Sequence, residues 1–127
     1  MSSKRLLVID DEREIGLLIA NVAETCGYVV STTERPTEFK STYDAIKPDV
    51  VVLDLAMPET DGIELLRFLA DRDSRAHVLI ISGCDHSVLK AADYLGRTYG
   101  LKIAGVIAKP LRVANLRAAL NGLREAV

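Results

Sequence analysis

Short apolar runs alternate along the chain with stretches of helical periodicity. Leu6-Leu7-Val8-Ile9, Val50-Val51-Val52-Leu53 and Val78-Leu79-Ile80-Ile81 have no polar face, so they are predicted to be strands buried on both sides. After the first run, Ile15, Leu18, Ile19, Val22 and Cys26 recur on one face of a helix, which Gly27 closes. Residues 28–32 form a more polar strand, predicted at an edge. Pro36 opens a second helix with Phe39, Tyr43 and Ile46 on one face, stopped by Lys47-Pro48-Asp49. After the second apolar run, Asp61-Gly62 predicts a turn, and residues 63–70 a helix with Leu65, Leu66 and Leu69 inward. Residues 71–75 are a charged surface loop. Residues 77–81 give a fourth strand, followed by a helix with Val88, Ala92, Leu95 and Tyr99 inward and Gly100 at its end. Residues 103–108 give a fifth strand, and Leu116, Leu120 and Leu123 mark the inner face of the last helix.

Five strands alternating with five helices imply parallel strands joined by right-handed crossovers. The predicted fold is an α/β, doubly wound sandwich, flavodoxin-like, with strand order 2-1-3-4-5. In such sheets, sites lie at the carboxyl ends of the strands, beside the switch in strand order between strands 1 and 3.

The polar residues at those ends carry the chemistry. Strand 1 delivers Asp10 and Asp11, strand 3 Asp54, strand 4 Ser82 and strand 5 Lys109. Asp54 follows a wholly apolar run, and an unpaired buried carboxylate is very costly, so it belongs where the strand leaves the core. Asp10 or Asp11 also suits a helix cap, with Glu12 and Glu14 at the positive helix end. Three carboxylates together repel one another and call for a cation. Oxygen ligands without a nearby His or Cys favour Mg²⁺. Carboxylates, a hard cation, a lysine and a hydroxyl suit phosphoryl transfer, in which an Asp can itself be the nucleophile.

Composition narrows the classes. The 127 residues suggest one domain, 1–127, large enough to bury a core without disulfides. A formal net charge of −2 argues against a general nucleic-acid or membrane-surface binder. No apolar run approaches signal or membrane length, so a soluble, cytoplasmic protein is expected. Cys26 and Cys84 are too few and too separated for a disulfide framework; Cys26 is expected in the core and Cys84 at the border of the site. His77 and His86 are expected to be exposed, and Tyr94 and Tyr99 to be packing residues.

Asp10-Asp11, Asp54, Met57-Pro58 with Asp61-Gly62, Ser82-Gly83 and Lys109-Pro110, in this order and at strand ends, resemble the response-regulator receiver domains of two-component signalling. The resemblance covers the whole chain. It implies that Asp54 accepts a phosphoryl group from a histidine kinase or phosphotransfer protein. It further implies that Asp11, Asp54 and the Ala56 backbone carbonyl hold Mg²⁺, with Asp10 acting through bound water. Ser82 and Lys109 would contact the phosphoryl oxygens, and the Lys-Pro bond is often cis. Such a domain is a phosphoacceptor rather than an enzyme, apart from its own Mg²⁺-dependent phosphorylation and dephosphorylation. Its signal would leave through the strand 4–helix 4–strand 5–helix 5 face, to a downstream protein, a fused output domain or a second copy. Val106 stands where the family usually has an aromatic residue. The long stretch from Ser82 to Lys109 resembles receivers fused to cyclic-di-GMP phosphodiesterase domains. Two rival chemistries lack their residues. A haloacid-dehalogenase-like phosphatase wants a second Asp at position 56, where Ala56 stands. A flavodoxin-like cofactor binder wants a Gly/Ser/Thr-rich loop where Asp10-Asp11-Glu12 stands.

Overall fold

The strands form where apolar and β-branched residues concentrate, on both faces in the three central strands and on one face in the two edge strands. In the computed structural model the strands are β1 Lys4–Ile9, β2 Tyr28–Thr33, β3 Val50–Asp54, β4 His77–Ser82 and β5 Lys102–Ala108. The structure describes residues 3–57, 60–83 and 86–126. Pro58 of the Met57-Pro58 motif, and Cys84 with Asp85, lie outside the described residues. The helices are α1 Arg13–Thr25, α2 Pro36–Ile46, α3 Gly62–Asp71, α4 His86–Thr98 and α5 Val113–Ala126. Every pairing in the main sheet is parallel, in the order β2-β1-β3-β4-β5. This is the predicted flavodoxin-like arrangement, with β2 at an edge.

Strand alternation splits the core in two. Leu7, Ile9, Val51, Leu53, Val78 and Ile80 face α2, α3 and α4, where Phe39, Leu65, Leu69 and Leu89 meet them. Leu6, Val8, Val50, Val52, Leu79 and Ile81 face α1 and α5, where Ile19, Val22, Cys26, Leu116 and Leu120 meet them. The same parity puts Asp10, two after Val8, and Asp54, two after Val52, on the α1–α5 side. Both carboxylates therefore leave the sheet toward the start of α1 and the β5–α5 loop.

Four local expectations are corrected. Helix α4 turns Leu89, Ala92 and Gly96 inward and leaves Val88 exposed, one position from the expected stripe. Gly96 explains the setting: a Cβ there would lie 2.5 Å from Ile103 Cδ1, so glycine lets α4 sit this close to β5 without displacing the Ile103 side chain. Tyr94 follows the helix outward and is 70% exposed rather than packed. The 61–62 turn is instead the end of a two-residue antiparallel ribbon, Ala56–Met57 with Thr60–Asp61, followed directly by α3. A Cβ on Gly62 would lie 2.7 Å from Leu55 Cα, so the missing side chain closes this loop onto the end of β3. Finally, His77 is half-buried at the start of β4, where burial and then the charge of Lys102 lower its pKa. His86 is exposed, as expected. Among the described residues, no helix is long and apolar enough to cross a membrane.

Candidate functional site

The ladder brings the strand ends into contact. The Asp10 N–H donates to the Thr33 carbonyl, the Leu55 N–H to Ile81 and the Lys109 N–H to Ser82, at 3.2, 3.2 and 2.9 Å. Asp54 pairs with Ile81, and Ser82 with Ala108. These bonds place Asp10, Asp54, Ser82 and Lys109 along one edge, as the sequence predicts. Ser82 and Asp54 are fully buried, Asp10 nearly so, and Asp11 is exposed. The Lys109–Pro110 bond is cis.

Lys109 is the electrostatic centre. Its Nζ lies 3.0 Å from Glu12 Oε1, 3.1 Å from Asp10 Oδ2 and 3.3 Å from Asp54 Oδ2. It donates hydrogen bonds to Glu12 and Asp54. The contact with Asp10 is an ion pair without hydrogen-bond geometry, which leaves Asp10 Oδ2 buried with no hydrogen-bond partner among the described residues. Burial by itself lowers the lysine pKa, but Glu12, Asp10 and Asp54 outweigh it and hold the ammonium charged.

Asp54 has the opposite balance. Its Oδ1 accepts the Ala56 N–H at 3.0 Å, which stabilises the charged form. Burial is the larger effect and, with the charge of Asp10 added, pushes the carboxyl from the usual 3.8 up to about 6. A native pKa above the unfolded value gives stability that is full below about pH 4 and is lost as pH rises through about 6. In metal-free protein Asp54→Asn should remove that loss and gain about 2 kcal/mol at pH 7. Urea unfolding at pH 4.5 and 7 checks this; identical pH dependence in the variant would contradict it.

The expected helix cap is not formed. Glu12, not Asp10 or Asp11, occupies the N-cap position of α1, and no side chain caps the helix there. Asp10 Oδ1 instead accepts the Glu12 N–H at 2.9 Å. This turn collects one carboxylate oxygen each from Asp10, Asp11 and Glu12 within 4.8 Å of one another. An oxygen-only donor set, a buried carboxylate oxygen lacking a hydrogen bond and Asp54 alongside fit a hard divalent cation such as Mg²⁺. The sequence reading missed Glu12 as a member of the site. The acidic triplet was visible, but its contact with Lys109 spans 97 positions.

The arrangement at the other end of the sheet differs. A groove of about 570 Å³ there is lined by Lys47, Asp49, Arg72, His77 and Lys102 among others. Its Arg72 is already paired with Asp44 at 3.0 Å, and no set of three metal-ligating side chains is found there among the described residues.

Comparison with known proteins converges on one family. The response regulator receiver domain model matches residues 6–121. Chemotaxis protein CheY of Listeria monocytogenes is 37% identical over 79 residues, 61% of this chain and 66% of that one. The alkaline phosphatase synthesis transcriptional regulatory protein PhoP of Bacillus subtilis is 31% identical over 104 residues, 76% of this chain. The match spans only 43% of PhoP, less than half its length. A response regulator crystal structure from Colwellia psychrerythraea is 31% identical, with a TM-score of 0.86, covering 99% of this chain and 100% of that one. A response regulator from Burkholderia pseudomallei, solved with a phosphorylated aspartic acid, a calcium ion and citrate, is 26% identical with a TM-score of 0.77, covering 97% and 69%. Because the family model takes in residues 6–121 and a solved response regulator overlays the fold end to end, this chain belongs to the response regulator receiver domain family, a signalling domain of two-component systems.

Proposed function

We propose that the chain is one receiver domain in which Asp54 accepts a phosphoryl group from a histidine kinase or phosphotransfer protein. The observation that carries this is a fully buried carboxylate at the end of β3 with Lys109 Nζ at 3.3 Å and an acidic turn beside it. The phosphorylated aspartate and calcium ion of the Burkholderia relative support the same chemistry here. The Ala56 N–H fixes Asp54 Oδ1 and leaves Oδ2, on the lysine side, to form the new O–P bond as the donor's bond to phosphorus breaks. Asp11, Asp54 and the Ala56 carbonyl would hold Mg²⁺, with Asp10 acting through water. Bound there, the ion supplies neutralisation of the phosphoryl charge. Lys109 and Ser82 take the remaining phosphoryl oxygens.

The response leaves through β4, α4, β5 and α5. The added charge draws on Ser82 and Lys109, which are joined by the Lys109 N–H to Ser82 carbonyl bond. Val106, on β5, has no ring to swing, so this backbone link carries the shift. Val88, Tyr94, Val106 and Val113 leave apolar surface exposed on this side for a downstream protein, a fused output domain or a second copy. The long Ser82–Lys109 stretch favours a cyclic-di-GMP phosphodiesterase as the fused output. Beryllofluoride with Mg²⁺ should shift amide resonances at Ala56, Ser82 and Lys109 and across α4, β5 and α5. In Lys109→Ala the local shifts should remain and those on α4 and α5 should shrink. An undiminished response in the variant would refute the role given to Lys109.

A further inference from the structure

An ammonium group has three N–H donors, and three carboxylates surround that of Lys109 at 3.0–3.3 Å. They are not equivalent. The Asp10 and Asp54 side chains are fully buried, whereas that of Glu12 is 61% exposed. Lys109 donates hydrogen bonds to Glu12 and to Asp54 Oδ2, the oxygen that takes the phosphoryl group, so on modification the ammonium has to shift from Oδ2 to a phosphoryl oxygen. That shift stretches the two remaining contacts: parting from buried Asp10 strands a charge in the core, whereas parting from Glu12 returns it to water. Glu12 also sits at the uncapped start of α1, where no other hydrogen bond ties down its side chain among the described residues.

We propose that Glu12 is a positioning residue that holds Lys109 over the buried carboxylates in the resting state and yields it to the phosphoryl oxygen when Asp54 is modified. The role rests on the acceptor reading of Asp54. The transfer itself is unchanged: the O–P bond forms as the donor's bond to phosphorus breaks, and only the ammonium moves. Glu12 thereby sets a threshold for phosphorylation: the tighter it holds Lys109, the slower the transfer.

Two variants separate the contact from the charge. Glu12→Gln removes the charge. Glu12→Asp keeps it on a side chain too short to reach Lys109, and one that prefers to cap α1. In ¹⁵N spectra of lysine side chains, unphosphorylated protein should show a slowly exchanging Lys109 ammonium signal, assigned with Lys109→Arg, that both variants weaken. With acetyl phosphate and saturating Mg²⁺, both should label Asp54 about two- to fivefold faster than wild type, the span expected for one exposed ion pair. Neither should speed labelling in a Lys109→Ala background. Wild-type behaviour of Glu12→Asp beside a faster Glu12→Gln would show a charge effect alone and overturn the proposal. Persistence of the gain without Lys109 would overturn it too. Failure of the wild type to label would overturn the acceptor reading, and this role with it, whereas a labelled wild type with unchanged variants would sink only the role of Glu12.

Discussion

Replacing Lys109 by alanine is expected to cost the metal-free protein about 3 kcal/mol in urea unfolding at pH 7. Asp10 and Asp54 are buried side by side, and among the described residues no other ion pair reaches either of them. Removing the ammonium leaves two desolvated carboxylates facing each other, with Glu12 adding a third charge from the rim. The loss should shrink below about pH 5, because Asp54 already takes a proton readily and will do so more readily without the lysine. It should also shrink when Mg²⁺ is added, since a divalent cation replaces the missing charge. A variant as stable as the wild type, or one whose loss Mg²⁺ does not reduce, would contradict this view of the site.

The second large effect separates the two adjacent aspartates. Asp11 is exposed and has no hydrogen bond or ion pair among the described residues, so Asp11→Ala should leave stability within about 0.5 kcal/mol of wild type. If Asp11 belongs to the proposed ligand set, the variant should nevertheless bind Mg²⁺ at least about tenfold more weakly. Asp10 is buried, bonded to the Glu12 N–H and paired with Lys109. Asp10→Ala should therefore change both folding stability and Mg²⁺ affinity. Calorimetric titration with Mg²⁺ and urea unfolding of the two variants distinguish the roles. Wild-type Mg²⁺ affinity in Asp11→Ala would remove Asp11 from the ligand set.

The sheet order and the strand-end residues were legible because each apolar run ends abruptly in a polar residue. Leu53 to Asp54 and Ile81 to Ser82 mark the point where the core stops, and parallel topology aligns those points. Helix α4 was not legible in the same way. Val88, Leu89, Ala91, Ala92 and Leu95 offer more than one apolar stripe, and the choice is made by Gly96 meeting Ile103 from another element. Glu12 was hidden for a related reason. Its sequence neighbours make it a suitable acid for a helix start, and only the closing of the β5–α5 loop over the sheet edge brings Lys109 to it. Local pattern thus identified the groups that terminate strands, whereas contacts made by the folding of distant loops remained invisible.

The most direct test is intact-mass analysis after incubation with acetyl phosphate, in wild type and Asp54→Asn, with Mg²⁺ and with the metal chelated. One phosphoryl group should be added to the wild type with Mg²⁺ and none in the other three samples. Labelling that survives in Asp54→Asn, or that proceeds equally well without the metal, would contradict the assignment of Asp54 as a Mg²⁺-dependent phosphoryl acceptor.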